Sequence, residues 1–424
     1  MEEERKDIIL NSDMGAKVID VLHLIYKTYH YSPKFKRKIQ TLADNLQVRI
    51  KTPSRVKGTR WSPHTEKALK NLLLPPQGKT NQDVGQYCIV HQHMEHLAES
   101  SANAEIKGRA KHLTKIMKSF NFLAYCHLLL DILKVISSLS FSLQTNKTIL
   151  TTATSAIRSC MTDLTTMKTL PLPNGALVDL IGFLKSQNAD QHTFQTVVLG
   201  GVPEIAADDD ESTYDNFSFG FRRNCVTEPL SLVVDGMKKR YRSIVGEDDH
   251  DEPSKIVKAL KVFHHDSWPE NDLDLALYGN EAVTSLVAWF EDILLRNGCK
   301  TPAVLPEWKR MKVLSTRHDL IMGVVPDKGA IRHRQNFLML VKIMLCLPVS
   351  SAKCERTFST MNRIKTDVRS SLNITTLEDL IRISGEGPDI LGFDPNSAVQ
   401  KWLSTSRKVK LNYVGWPENC EDDD

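Results

Sequence analysis

Residues 120–141 read FNFLAYCHLLLDILKVISSLSF, and this run constrains the chain more than any other stretch. It is long enough to cross a bilayer as a helix. His127, Asp131 and Lys134 sit in its middle, however, and ionisable groups at that depth cost several kcal/mol in lipid. The run is therefore expected to be a buried helix of a large helical domain, with no membrane partner. Composition agrees: of 424 residues, 41% are hydrophobic and 25% charged, the balance of a soluble globular protein. Gross disorder and collagen-like repeats are excluded. Length allows one large domain or two to three ordinary ones. Cys88, Cys126, Cys160, Cys225, Cys299, Cys346, Cys354 and Cys420 are scattered without close pairs. The opening MEEERK has the wrong charge for a secretory leader. Reduced thiols in cytosol or nucleus are expected.

Helical periodicity runs through the rest. Val18, Leu22, Ile25 and Tyr29 recur at i, i+4, i+7 and i+11, one apolar stripe. Ser32 and Pro33 stop that helix, because the residue before proline avoids the α region. Ser62 and Pro63 read as the start of a helix faced by Ala68, Leu69, Leu72 and Leu73. Long helical patterns follow over residues 84–117, 120–143 and 146–168. Residues 195–201 (QTVVLGG) read as a short strand, and further helices are expected around 230–237, 281–297 and 307–314. Residues 341–349 (VKIMLCLPV) form an apolar run, read as a strand or a helix end. After it, Cys354, Phe358 and Met361 share one helix face at i, i+4 and i+7. Thr375 and Glu378 read as a capping box ahead of Leu377, Leu380 and Ile381. A last helix is expected over 398–403, and residues 421–424 are an acidic tail.

Charge is informative in its distribution. The net value of +4 is too small to name a polyanion partner. Residues 32–70, however, hold Lys34, Lys36, Arg37, Lys38, Arg49, Lys51, Arg55, Lys57, Arg60, Lys67 and Lys70 against only Asp44 and Glu66. Such a window can track a phosphate backbone, serve as a nuclear-import signal, or simply be a solvated face. Cys88, His91, His93 and His96 carry four donors in close order. A structural zinc site normally brackets a loop, and this segment reads as helix, so no metal is expected.

Residues 347–372 (LPVSSAKCERTFSTMNRIKTDVRSSL) resemble the C-terminal block of hAT-superfamily transposases and their domesticated relatives. The carriers are Pro348, Ser350, Ser351, Glu355, Arg356, Phe358, Ser359, Lys365, Arg369 and Leu372. Residues 58–64 (GTRWSPH) resemble the family's Arg-Trp element, which marks entry to a helical insertion domain. Residues 26–47 are similar to the lead-in of vertebrate zinc-finger-associated hAT proteins, and Glu307-Trp308 fits a weaker element of the group.

The resemblance implies a mainly α fold. Residues 1–60 would be the remnant of an RNase H-like domain and basic lead-in, and 61–335 the helical insertion. Residues 336–410 would be the dimerisation region, and 411–424 an acidic tail. Active relatives hold two metal ions with two aspartates and a late-helix glutamate. Glu355 stands at the glutamate position, and the aspartate segments would lie ahead of residue 1. Two-metal chemistry needs several convergent carboxylates, so no catalytic residue, cofactor or small-molecule substrate is expected. Arg60 and Trp61 would lie near a DNA end, where the indole can stack on an extruded base; the alternative is a core tryptophan ahead of a capped helix. Cys354, Phe358, Met361, Leu377, Leu380 and Ile381 are assigned to core and dimerisation together. The resulting expectation is a non-catalytic, transposase-derived nuclear protein that associates with itself or a hAT-like partner. The alternative is a DNA-binding transposase fragment that works with a catalytic subunit supplied elsewhere.

Overall fold

The computed structural model describes residues 12–53, 56, 61–75, 80–145, 150–187, 191–203, 214, 217–245, 252–263, 267–314, 335–347, 352–388 and 392–404. The chain divides into two compact units, Met1–Ser350 and Ser351–Asp424. Among the described residues nearly all regular structure is helical, and the strands are a single two-residue pair.

In the first unit, Ser32 and Pro33 do what their types suggest. Helix α1 (Asp13–His30) ends before them, and α2 (Pro33–Asn45) starts with the Ser32 hydroxyl accepting from the Phe35 amide. Val18, Leu22, Ile25 and Tyr29 are all buried. Helix α3 spans Trp61–Leu73. The continuous pattern over 84–117 is two helices, α4 (Gln86–Ser100) and α5 (Ala104–Met117). The break is made by Asn103, whose side chain accepts from the Ile106 amide at 3.1 Å and so favours a cap over continuation.

The long apolar run is α6 (Phe120–Gln144), threaded through the first of two apolar cores in this unit. Its ionisable residues are accounted for. The His127 ring meets the Leu123 carbonyl at 2.9 Å, and Asp131 accepts from the Ala176 and Leu177 amides at 2.7 and 3.1 Å. Asp131 thereby caps α8 (Ala176–Lys185) from another helix, where unpaired first-turn amides and the helix dipole both favour a carboxylate. Burial nonetheless raises the Asp131 pKa above its ordinary value. Lys134 stays exposed. Helix α7 (Leu150–Thr166) packs alongside α6.

The expected strand over 195–201 shrinks to β2 (Val197–Val198), paired antiparallel with β1 (Thr193–Phe194). Gln195 and Thr196 form the turn with φ of 46° and 68°. Gln195 is fully buried and ties three segments. Its Oε1 accepts from the Tyr87 amide at 3.0 Å, its Nε2 donates to Leu73 O at 2.8 Å, and its backbone amide donates to Asn81 O at 2.8 Å. A Cβ on Gly85 would collide with that carboxamide. A π-helical turn (Arg222–Thr227) then leads into α9 (Glu228–Val245).

The second core gathers α10 (Glu252–Leu260), α12 (Asn280–Trp289), α14 (Thr301–Leu314) and α15 (Gln335–Cys346) around Trp308. The short helices α11 (Asp272–Leu277) and α13 (Glu291–Arg296) flank them. The helix expected over 281–297 is broken at Phe290. Within the apolar run 341–349, residues 341–346 are the end of α15 and not a strand: Phe337, Leu340 and Met344 give that helix one buried face. Trp308 meets Trp268 edge-on at 5.6 Å and Phe337 at 5.4 Å. Lys312 lies 5.1 Å from the Trp308 ring and donates to Ala276 O and Tyr278 O, closing the end of α11.

The second unit holds α16 (Ala352–Ile364), a 3-10 turn (Asp367–Arg369), α17 (Ile374–Glu386) and α18 (Asn396–Ser404). Helices α16 and α17 pack on one another. The cap of α17 is Asn373, whose side chain accepts from the Thr375 amide at 3.3 Å. Glu378, read from sequence as half of a capping box, instead pairs with Arg382 one turn on, at 3.0 Å.

Candidate dimerisation surface

The stripe that sequence assigns to core and dimerisation is not buried. Cys354 and Phe358 are exposed, and Met361, Leu377, Leu380 and Ile381 are half-buried. None of the described residues of α16, α17 and α18 is buried. Phe358 is 60% exposed, and Val368, Ile374, Ile383, Phe393, Trp402 and Leu403 are exposed as well. The local reason is plain from the helices themselves. Both α16 and α17 are amphipathic, and a pair of helices shields only the sides that face each other. Two packed helices thus leave several large apolar side chains exposed, as at an interaction site.

Glu355 lies in the first turn of α16, where the helix dipole favours a carboxylate, and it is exposed. Among the described residues no three His, Cys, Asp or Glu side chains are grouped to hold a metal ion. The Cys88–His96 donors turn to separate neighbours. Cys88 Sγ meets Thr196 Oγ1 at 3.0 Å, His91 Nδ1 lies 3.6 Å from Glu95, and His93 Nδ1 meets the Tyr29 hydroxyl at 3.0 Å. Burial depresses the His91 pKa and takes that of His93 down to about 4. Both rings are therefore neutral near pH 7.

Lys34, Lys36, Arg37 and Lys38 are exposed along the first half of α2, while Ile39 and Ala43 hold that helix to the core. Arg60 lies outside the described residues, as do Pro348, Ser350, Ser351 and the acidic tail. Trp61 opens α3. Sequence reasoning named Glu307 and Trp308 only as a weak family element and missed their work. Trp308 is the centre of the second core, and Glu307 caps α15: its Oε2 accepts from the Phe337 amide at 2.8 Å. Partners 30 residues apart leave no local spacing to read.

Residues 335–386 match a family model described as the hAT family C-terminal dimerisation region. The match runs from the first residue of α15 to the last residue of α17. Over these residues the chain is similar to the dimerisation region of hAT proteins. No solved structure matches the chain.

Proposed function

We propose that the chain is a non-catalytic, hAT transposase-derived protein that self-associates in the nucleus through its C-terminal helices. One observation carries the reading: the region matching the dimerisation model contains helices whose apolar side chains are uncovered. A stable interface buries roughly 1,200 Å² or more in total. Sedimentation of the full chain tests this. Wild type should be dimeric or larger at roughly ten micromolar, and Phe358→Asp monomeric; a wild-type monomer at that concentration would end the proposal. The non-catalytic part reads Glu355 as an exposed first-turn carboxylate of α16, a placement that the helix dipole favours without any metal. We extend the reading to ancestry, with residues 1–60 the remnant of an RNase H-like domain.

A second reading has its own observation. Lys34, Lys36, Arg37 and Lys38 crowd the start of α2, with no acidic residue in its first turn. Cations at that end oppose the helix dipole, so helix stability does not account for them; a polyanion does. DNA is the proposed partner, bound without sequence preference. The same cluster supports nuclear import, which a fluorescent fusion with these four residues replaced by Ala would test.

A further inference from the structure

The matched region begins at α15, and α15 is a helix with two apolar sides. Phe337, Leu340 and Met344 are buried in the second core. Val341 packs against the same core, while Leu338 and Leu345 recur at i and i+7 on a second side. Leu345 is 58% exposed, and Leu338 is half-buried. An apolar stripe on a helix whose other side is fixed in a core is held rigid for a partner.

The start of α15 is fixed by a clamp. Glu307, 8% exposed on α14, accepts from the Phe337 amide through Oε2 at 2.8 Å. Its Oε1 accepts from Asn336 Nδ2 at 2.6 Å, and Asn336 Oδ1 accepts from the Lys300 amide at 2.6 Å. The carboxylate takes a first-turn amide of α15 that has no partner within its own helix, and the asparagine carries the connection to the residue before α14. Each atom has a set donor or acceptor role, so the clamp has one arrangement.

We propose that Glu307 and Asn336 are positioning residues for self-association, holding Leu338 and Leu345 where a second copy of this chain covers them. The inference rests on the self-association reading above and adds to it a part that lies in the first unit. A second copy is the occupant because the stripe is continuous in sequence with the matched dimerisation region and belongs to it. Glu307 acts through α15 and touches no partner itself.

The test measures dissociation constants of the full chain by sedimentation for wild type, Glu307→Gln, Asn336→Asp, the double variant and Leu345→Ser. Glu307→Gln sets two donors against each other, and Asn336→Asp sets two carboxylates against each other. The double variant puts the donor on residue 307 and the carboxylate on residue 336, so all three bonds form again. Each single change is expected to weaken association at least about tenfold with far-UV circular dichroism retained, and the double variant to recover most of it. Leu345→Ser, which leaves the clamp intact, is expected to weaken association by at least about threefold. If wild type associates while Glu307→Gln and Leu345→Ser associate equally well, the inference is overturned and self-association stands. If wild type is a monomer, the self-association reading fails first. Should the clamp variants unfold, Leu345→Ser decides alone.

Discussion

Helix α6 and the α16–α17 pair obey the same sequence rules and reach opposite ends. In α6 even the intruding groups are absorbed, with His127 bonded to a carbonyl and Asp131 capping α8. In α16 and α17 the intended apolar face, led by Phe358, is left uncovered. Periodicity identifies the side of a helix that must be covered. It does not say whether the cover comes from the same chain, and that is set by how many helices lie within reach.

The comparison is broken most forcefully by substitution. Leu129→Ala, at a fully buried position of α6, should cost about 2–5 kcal/mol of unfolding free energy. Phe358→Asp should change the stability of the dilute chain by less than about 0.5 kcal/mol. Chemical denaturation at sub-micromolar concentration compares them; equal losses would mean that the α16 face is core after all.

Acid should act on the buried histidines. Burial takes the pKa of His127, like that of His93, from 6.5 to about 4. Folded pKa values below the unfolded ones mean full stability above about pH 6.5, lost as pH falls towards 4. The loss is up to about 3 kcal/mol for each ring. Asp131, shifted upward, works in the opposite sense and becomes less unfavourable as acid protonates it. Melting curves between pH 7 and 4.5 should show the decline, and His127→Gln should flatten it. An unchanged slope would remove His127 from the account.

Asp131→Ala leaves two α8 amides uncapped and should cost about 1–2 kcal/mol. Hydrogen exchange at Ala176 and Leu177 should rise with it. The smallest effect on stability is expected at α2. Replacing Lys36, Arg37 and Lys38 by Ala should leave the fold intact or firm it by a few tenths of a kcal/mol. The log–log salt slope of DNA binding should flatten by about 0.9 for each phosphate that the chain no longer neutralises. If affinity and slope do not move, the window is a solvated face.

Much of the architecture is legible in the sequence. The α1 stripe, the Ser32–Pro33 boundary and the burial of most of α6 all follow from spacing and residue type. What escapes is long-range or side-chain specific. Asn103 interrupts a pattern that remains apolar on both sides of it. Asn373 takes a cap that Thr375 and Glu378 also fit. The apolar run at 341–349 is ambiguous by composition, and only the burial of Phe337, Leu340 and Met344 fixes its period. The candidate surface is legible as residues but not as surface, since Phe358 carries the same signal whether covered by its own chain or by another. Glu307 and Gln195 bond across 30 and 108 residues, where sequence offers no cue.

The Gln195–Thr196 turn has a kinetic consequence. A β-branched residue at positive φ costs on the order of 1 kcal/mol or more, so the turn is a poor nucleus by itself. Its compensating bonds reach Tyr87 and Leu73, 108 and 122 residues away, and such closures come only after local helices have formed. The hairpin is thus a late-closing latch on the ends of α3 and α4. In pulse-labelled refolding, the Tyr87 amide should gain protection after those of the α6 interior, which makes it a reporter for the last step of folding in the first unit.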